Sequence, residues 1–228
     1  MKTIYYLAAC ILLITACKNK QSEQPGNTIA APKVSLVVLG TIQDAGSPQI
    51  GCTKDCCKSL FKHPDPNRQV VALGLSDNEQ HKTYLFEATP DISRQVKQLK
   101  QYNPQTAAEI PHGIFLTHAH IGHYTGLMYL GKEAMATKGV PVYGTERMDA
   151  FLKSNGPWSL LVENGYIELR TLAPDHAVEL PDAGTDARLF AVLHVLQCGD
   201  GGCVHLAGPA AGWAARAGRG QLVSALPL

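Results

Sequence analysis

The sequence predicts an α/β layered domain, and three observations predict it. Short apolar runs bounded by turn residues recur between residues 34 and 172, which is how buried strands read. Segments with apolar residues at helical spacing lie between the later of those runs, the order that gives a layered α/β fold. Composition is that of an ordinary globular chain, 45% apolar and 17% charged over 228 residues, a length suited to one domain or slightly more. The formal net charge of +1 provides no field to draw the chain onto nucleic acid.

In order along the chain, residues 34–40 read as a buried strand running into a glycine-containing loop, residues 41–51. Residues 52–61 are short and rich in cysteine. Residues 70–75 are a second strand and 83–88 a third. Asp77 and Asn78 mark the turn between them, so the two are expected to pair as a hairpin. Pro90 suits a helix start, and Ile92, Val96 and Leu99 continue at helical spacing to Tyr102. Residues 114–117 form the next strand. A helix is expected over residues 124–138, with Leu127, Leu130 and Met135 on its apolar face and Gly139 as its stop. Residues 140–143 are a strand, 147–153 a short helix and 167–172 a further strand. Trp158 and Tyr166 suit packing, His81 and His112 fall near turns and read as surface residues, and His176, in a turn after Pro174 and Asp175, reads as structural or solvent-facing.

The two ends read differently. Residues 1–17 carry Lys2 and then an apolar stretch too short for a comfortable membrane span, the pattern of an export signal. Ile14-Thr15-Ala16-Cys17 resembles the lipobox of bacterial lipoproteins, which makes Cys17 the lipidated residue and residues 18–32 a polar tether. The expected location is the cell envelope, anchored through lipid. Lys18 directly after the cysteine favours the outer membrane by analogy with bacterial sorting. Residues 33–190 form the folded domain. From about Gly184 the texture changes, and residues 207–220 are mostly Ala, Gly and Arg without a period. Residues 191–228 read either as a flexible tail or as sequence displaced by a frameshift or fusion joint.

Export places the remaining cysteines in an oxidising compartment. Cys52, Cys56, Cys57, Cys198 and Cys203 are odd in number, so disulfides alone leave a thiol over. The close spacing of Cys52, Cys56 and Cys57 fits thiolate ligands of a structural zinc, with His63 near enough to join them, or a disulfide between two of the three.

Chemistry is concentrated in His118-Ala119-His120-Ile121-Gly122-His123. Residues two apart in an extended segment share a side, so His118 and His120 point together. His123 follows where the chain turns into a helix and can swing back to the same point. Neutral imidazoles hold Zn, Fe or Mn, and a cation so held lowers the pKa of bound water to about 7, which makes hydroxide available at neutral pH.

Residues 117–123 resemble the His-x-His-x-Asp-His signature of the metallo-β-lactamase fold superfamily, and Leu39-Gly40-Thr41 its opening strand and loop. Gln43-Asp44-Ala45-Gly46-Ser47-Pro48, the cysteines after it and residues 117–127 are similar to the branch of coenzyme PQQ synthesis protein B, especially its exported lipoprotein relatives. The resemblance implies an αββα sandwich of which this chain holds the first half and part of the second. It implies that His118 and His120 bind one metal and His123 a second, and that a later histidine completes the first. His194 falls in that register, although Leu193 stands where the branch has proline. Gly122 stands where the superfamily has its Asp ligand, which puts a standard two-metal centre in doubt. Asp44 and Ser47 lie in a loop that borders the active site in that fold, and Asp44 is a candidate catalytic residue. The implied function is metal-dependent hydrolysis of an ester or phosphodiester-type small molecule. The alternative is a truncated, non-catalytic envelope lipoprotein. Half a sandwich exposes an apolar sheet face, so self-association through that face is expected as well.

Overall fold

The computed structural model describes residues 32–173, Val178, Leu180 and four later strands whose backbone alone is described. The export signal, Cys17 and most of the tether lie outside the described residues.

A mixed sheet forms the framework. Its strands are β1 (Val34–Gly40), β2 (Ala72–Asp77), β3 (Lys82–Phe86), β4 (Gly113–Phe115), β5 (Val140–Thr145) and β6 (Ile167–Leu172). These six run side by side in chain order. β1, β2 and β3 pair antiparallel, and β3, β4, β5 and β6 pair parallel. The expected hairpin of the second and third strands is present, with Leu75 opposite Tyr84. In the C-terminal stretch β7 (Val192–Cys198) and β8 (Gly201–Ala207) make a separate hairpin. β9 (Ala214–Ala217) lies parallel to β1, and β10 (Gln221–Ser224) is antiparallel to β9.

Parallel neighbours need crossovers, and helices supply them. α1 (Asp55–Lys62) follows the loop after β1, in the cysteine-rich segment where no helix is legible in the sequence. α2 (Ile92–Gln101) joins β3 to β4, and Ile92, Val96 and Leu99 face inward as the periodicity predicts. α4 (Glu146–Ser154) and α5 (Trp158–Glu163) join β5 to β6. The helix expected over residues 124–138 is not there. A four-residue α3 (Ile121–Tyr124) passes into a 3₁₀ turn, Thr125–Leu130, and the chain then runs through turns to β5. Leu127 and Leu130 are three apart, which the three-residue repeat of a 3₁₀ turn places on one side, and both are buried while Met135 is exposed. Gly139 has φ +63° and marks the entry to β5 rather than a helix end.

The helices cover one face of the sheet, where Val37, Leu85, Ile114 and Val142 meet Leu99, Leu127 and Leu152 in the main core. On the opposite face Phe86, Phe115 and Tyr143 stack in a row across β3, β4 and β5, with centroids 5.0 and 4.4 Å apart. These side chains are buried, with Leu180 in the same cluster and Val178 packed against it just past β6. An open apolar sheet face is not found among the described residues.

Candidate metal centre

The site sits where β3 and β4 end, beyond the carboxyl ends of two parallel strands, the usual place for function in such sheets. Pairing of Phe86 with Phe115 sets the two strand ends level. Glu87 follows β3 with φ +77°, a backbone conformation uncommon outside glycine. Its N–H donates to the Phe115 carbonyl at 2.8 Å, and its side chain is almost fully buried. The chain after β4 crosses above it as residues 117–123. Ala88 N–H donates to the His123 carbonyl, and Gly126 N–H to the Ala88 carbonyl, which ties the histidine segment onto the end of β3.

The three histidines converge. The His118 ring lies 4.4 Å from that of His120 and 4.2 Å from that of His123, centroid to centroid. Glu87, His118 and His123 each offer one ligand atom, all within 4.8 Å of one another. His120 stands at the mouth, its side chain 73% exposed, with Nδ1 3.8 Å from an Asp44 carboxylate oxygen. The Thr117 hydroxyl bonds His118 Nδ1 at 2.7 Å and fixes that ring.

Electrostatics separate the rings. Burial and the neighbouring His123 push His118 below the ordinary imidazole pKa, against the pull of Glu87 and Asp44. Burial acts to lower His123 too, but the Glu87 carboxylate, with help from Asp44, outweighs it and holds His123 above its ordinary value. His123 Nδ1 lies 3.4 Å from Glu87 Oε2, an ion-pair distance, yet it makes no hydrogen bond and is buried. A buried ring nitrogen without a hydrogen bond, beside a buried carboxylate and a second imidazole, is a donor set that a cation satisfies. The residues present therefore fit a metal.

Placement of the sequence candidates is uneven. His118 and His123 are together, His120 is adjacent, and Asp44 reaches the mouth. Glu87 went unrecognised as a site residue. Its signal was an acidic residue closing an otherwise apolar strand, residues 83–88. Gly122 leaves no room for a side chain: a Cβ there would lie 2.3 Å from Asp44 Cβ and 2.4 Å from the Asp44 carbonyl oxygen. His194 is on β7, opposite His205. Its side chain lies outside the described residues. Of the cysteines, Cys52 and Cys57 form a disulfide and Cys56 is free and exposed. The three sulfurs also lie within 4.8 Å of one another, a spacing that suits a structural metal once the disulfide is reduced, so both sequence alternatives stand on the same trio.

Comparison with known proteins identifies the family and the fold. Residues 82–223, more than half of the chain, match the family described as the beta-lactamase superfamily domain. The chain is 28% identical over 160 residues to coenzyme PQQ synthesis protein B of Rhodopseudomonas palustris strain TIE-1, covering 68% of this chain and 49% of that protein. It is 29% identical over 168 residues to the same protein of strain BisB5, covering 69% and 52%. The chain thus spans about half the length of the curated relatives it matches. Its fold is similar to the crystal structure of zinc-bound PqqB from Methylobacterium extorquens, with a TM-score of 0.51 and 23% identity, covering 63% of this chain and 48% of that one.

Proposed function

The chain belongs to the beta-lactamase superfamily, in a branch resembling coenzyme PQQ synthesis protein B, and from that premise we propose that it is an envelope metal-dependent hydrolase of a small ester or phosphodiester. The single observation that carries the reading is the buried donor set at the ends of β3 and β4.

Glu87, His118 and His123 would hold the cation, with His120 beside them at the mouth. The chemistry a bound cation supplies is Lewis acidity, enough to bring the pKa of water to about 7. The protein's own groups do the rest. Thr117 fixes the His118 ring and burial favours its neutral, ligating form. Glu87, 3.4 Å from His123 Nδ1, would orient that ring as well as join it as a ligand, and balances positive charge in a nearly buried place. Exposed His120 and half-buried Asp44 form the side from which substrate enters, where they can hold a polar group or accept a proton. The envelope location rests on Ile14 to Cys17.

The test uses the full-length chain loaded with Zn, Fe or Mn and a panel of esters and phosphodiesters. Turnover should fall at least about a hundredfold, the size of lost transition-state stabilisation of roughly 2.7 kcal/mol, in His118→Ala and His120→Ala. In cells it should sediment with membranes unless Cys17 is replaced by Ser. Gly122, where the superfamily has Asp, favours a second reading, a metal-binding protein without catalysis. A folded, metal-loaded chain that turns over nothing in the panel would decide for that second reading.

A further inference from the structure

Position 122 is more than a missing ligand. The loop after β1 comes down onto it so closely that any side chain at 122 would overlap the Asp44 backbone, with Asp44 Cα 2.5 Å from where a Cβ would be. Such separations are well inside contact distance, so glycine is the residue this approach requires. The loop is also built to hold its shape. Gly46 N–H donates to the Gln43 carbonyl, Ala45 N–H donates to Gln43 Oε1, and the Gln43 amide donates to the Gly46 carbonyl. Gly46 adopts φ +80° to close the turn. These bonds place Asp44 at the tip, over the histidines. Its carboxylate lies 3.8 Å from His120 Nδ1.

We infer that Asp44 supplies the carboxylate ligand that position 122 lacks, so that the loop after β1 and the glycine at 122 form one paired feature of the metal centre. The inference rests on the metal-centre reading above and deepens it. Two independent observations meet here. One is the cradle at Gly122, filled by the Cβ, carbonyl oxygen and Cα of Asp44. The other is the Asp44 carboxylate, 3.8 Å from Nδ1 of His120, whose ring lies 4.4 Å from that of His118. A carboxylate carried on a loop rather than on the histidine segment makes the centre depend on where that loop sits.

The experiment measures Zn binding by calorimetry and equilibrium dialysis on the full-length, metal-free chain with its disulfide intact, without any activity assay. The variants are Asp44→Asn, Gly122→Ala, the two combined, and His118→Ala, each checked for folding by circular dichroism and thermal melting. Asp44→Asn keeps the shape of the side chain and removes its charge. It should weaken Zn at least about tenfold, the lower bound for residues that support a metal site. Gly122→Ala changes no ligand, yet its methyl group must displace Asp44, so it should weaken Zn by a similar factor. Because both act through Asp44, the double variant should be no weaker than the worse single one. If Asp44→Asn binds Zn as the wild type does while His118→Ala loses it, the metal centre stands and the Asp44 assignment is overturned. Additive losses in the double variant overturn the pairing of the loop with Gly122. If His118→Ala binds unchanged as well, the metal-centre reading itself fails.

Discussion

Asp149 is the clearest case of a single residue working against its surroundings. It lies on α4, almost fully buried, and accepts the Thr171 hydroxyl at 2.6 Å through one oxygen while the other has no hydrogen bond. Burial raises its pKa; the Thr171 hydrogen bond and Lys153 pull it down, Glu146 pushes it up, and the net shift is upward. A carboxyl whose folded pKa exceeds its unfolded one favours folding when protonated. Its contribution is fully present below the ordinary carboxylate value of about 4 and is lost as pH rises through the folded value. Asp149→Asn keeps an acceptor for Thr171 and has no charge to bury. Urea denaturation from pH 4 to pH 8 should therefore show the variant gaining on wild type as pH rises, with the two converging at the acid end. A difference that stayed constant across that range would show that the carboxyl is not the titrating source. The same residue-scale logic separates what was legible at the metal centre. His118, His120 and His123 fall within six positions of sequence, so their pattern is visible without a fold. Glu87 and Asp44 reach the same point only because β3 pairs with β4 and the loop after β1 folds over Gly122. Long-range pairing of that kind leaves no local period to read.

At the scale of elements, α2 owes its position as much to polar groups as to its apolar stripe. Gln95 is fully buried on the helix. Its amide donates to the Val70 carbonyl at 2.7 Å, and its carbonyl accepts the Thr89 hydroxyl at 2.7 Å. Asp91 accepts the Val70 N–H, and Thr89 Oγ1 accepts the Asp91 N–H. This network fastens the start of α2 to the backbone just before β2 and to the segment directly after Glu87. Gln95→Ala should cost about 1–3 kcal/mol, because it strands a buried carbonyl and a buried hydroxyl. The measurement is a lower urea midpoint with an unchanged slope; an unaltered midpoint would mean that the network contributes nothing net. The helical period identified Ile92, Val96 and Leu99, but Gln95 was invisible to it because a polar residue on the buried side breaks the pattern. The opposite error occurred after His123. Leu127, Leu130 and Met135 suggested a long helix, but Gly126 packs so tightly that a Cβ there would sit 2.1 Å from the Thr89 carbonyl oxygen. That approach holds the segment against the end of β3, and the chain tightens into a 3₁₀ turn instead of continuing as α-helix.

For the molecule as a whole, the sheet works only if both of its faces are covered. The helical face is covered by α2 and α4, which the sequence predicts, and by the 3₁₀ turn and α5, which it does not. The aromatic face, with Phe86, Phe115 and Tyr143 in one row, depends on chain beyond β6, where the sequence shows no period and no cover was foreseen. Leu180 is 6% exposed within that cluster, so the cover is close-packed at this point. Placing a charge there forces a choice between burying an unpaired carboxylate and lifting the segment away, and lifting it costs less than full desolvation. Lifting bares an aromatic row of the kind that drives association between copies. Leu180→Asp should therefore move the chain toward larger species in light scattering at a concentration where wild type is unchanged, and bind more of a hydrophobic dye. Leu180→Met, which keeps volume and polarity, should do neither. Should Leu180→Asp behave as wild type in both assays, the cover over the aromatic row does not depend on this residue. Because β4 carries Phe115 on this face and leads directly into Thr117 and His118, the same variant should also loosen Zn binding, which ties the integrity of the covered sheet to the geometry of the metal centre.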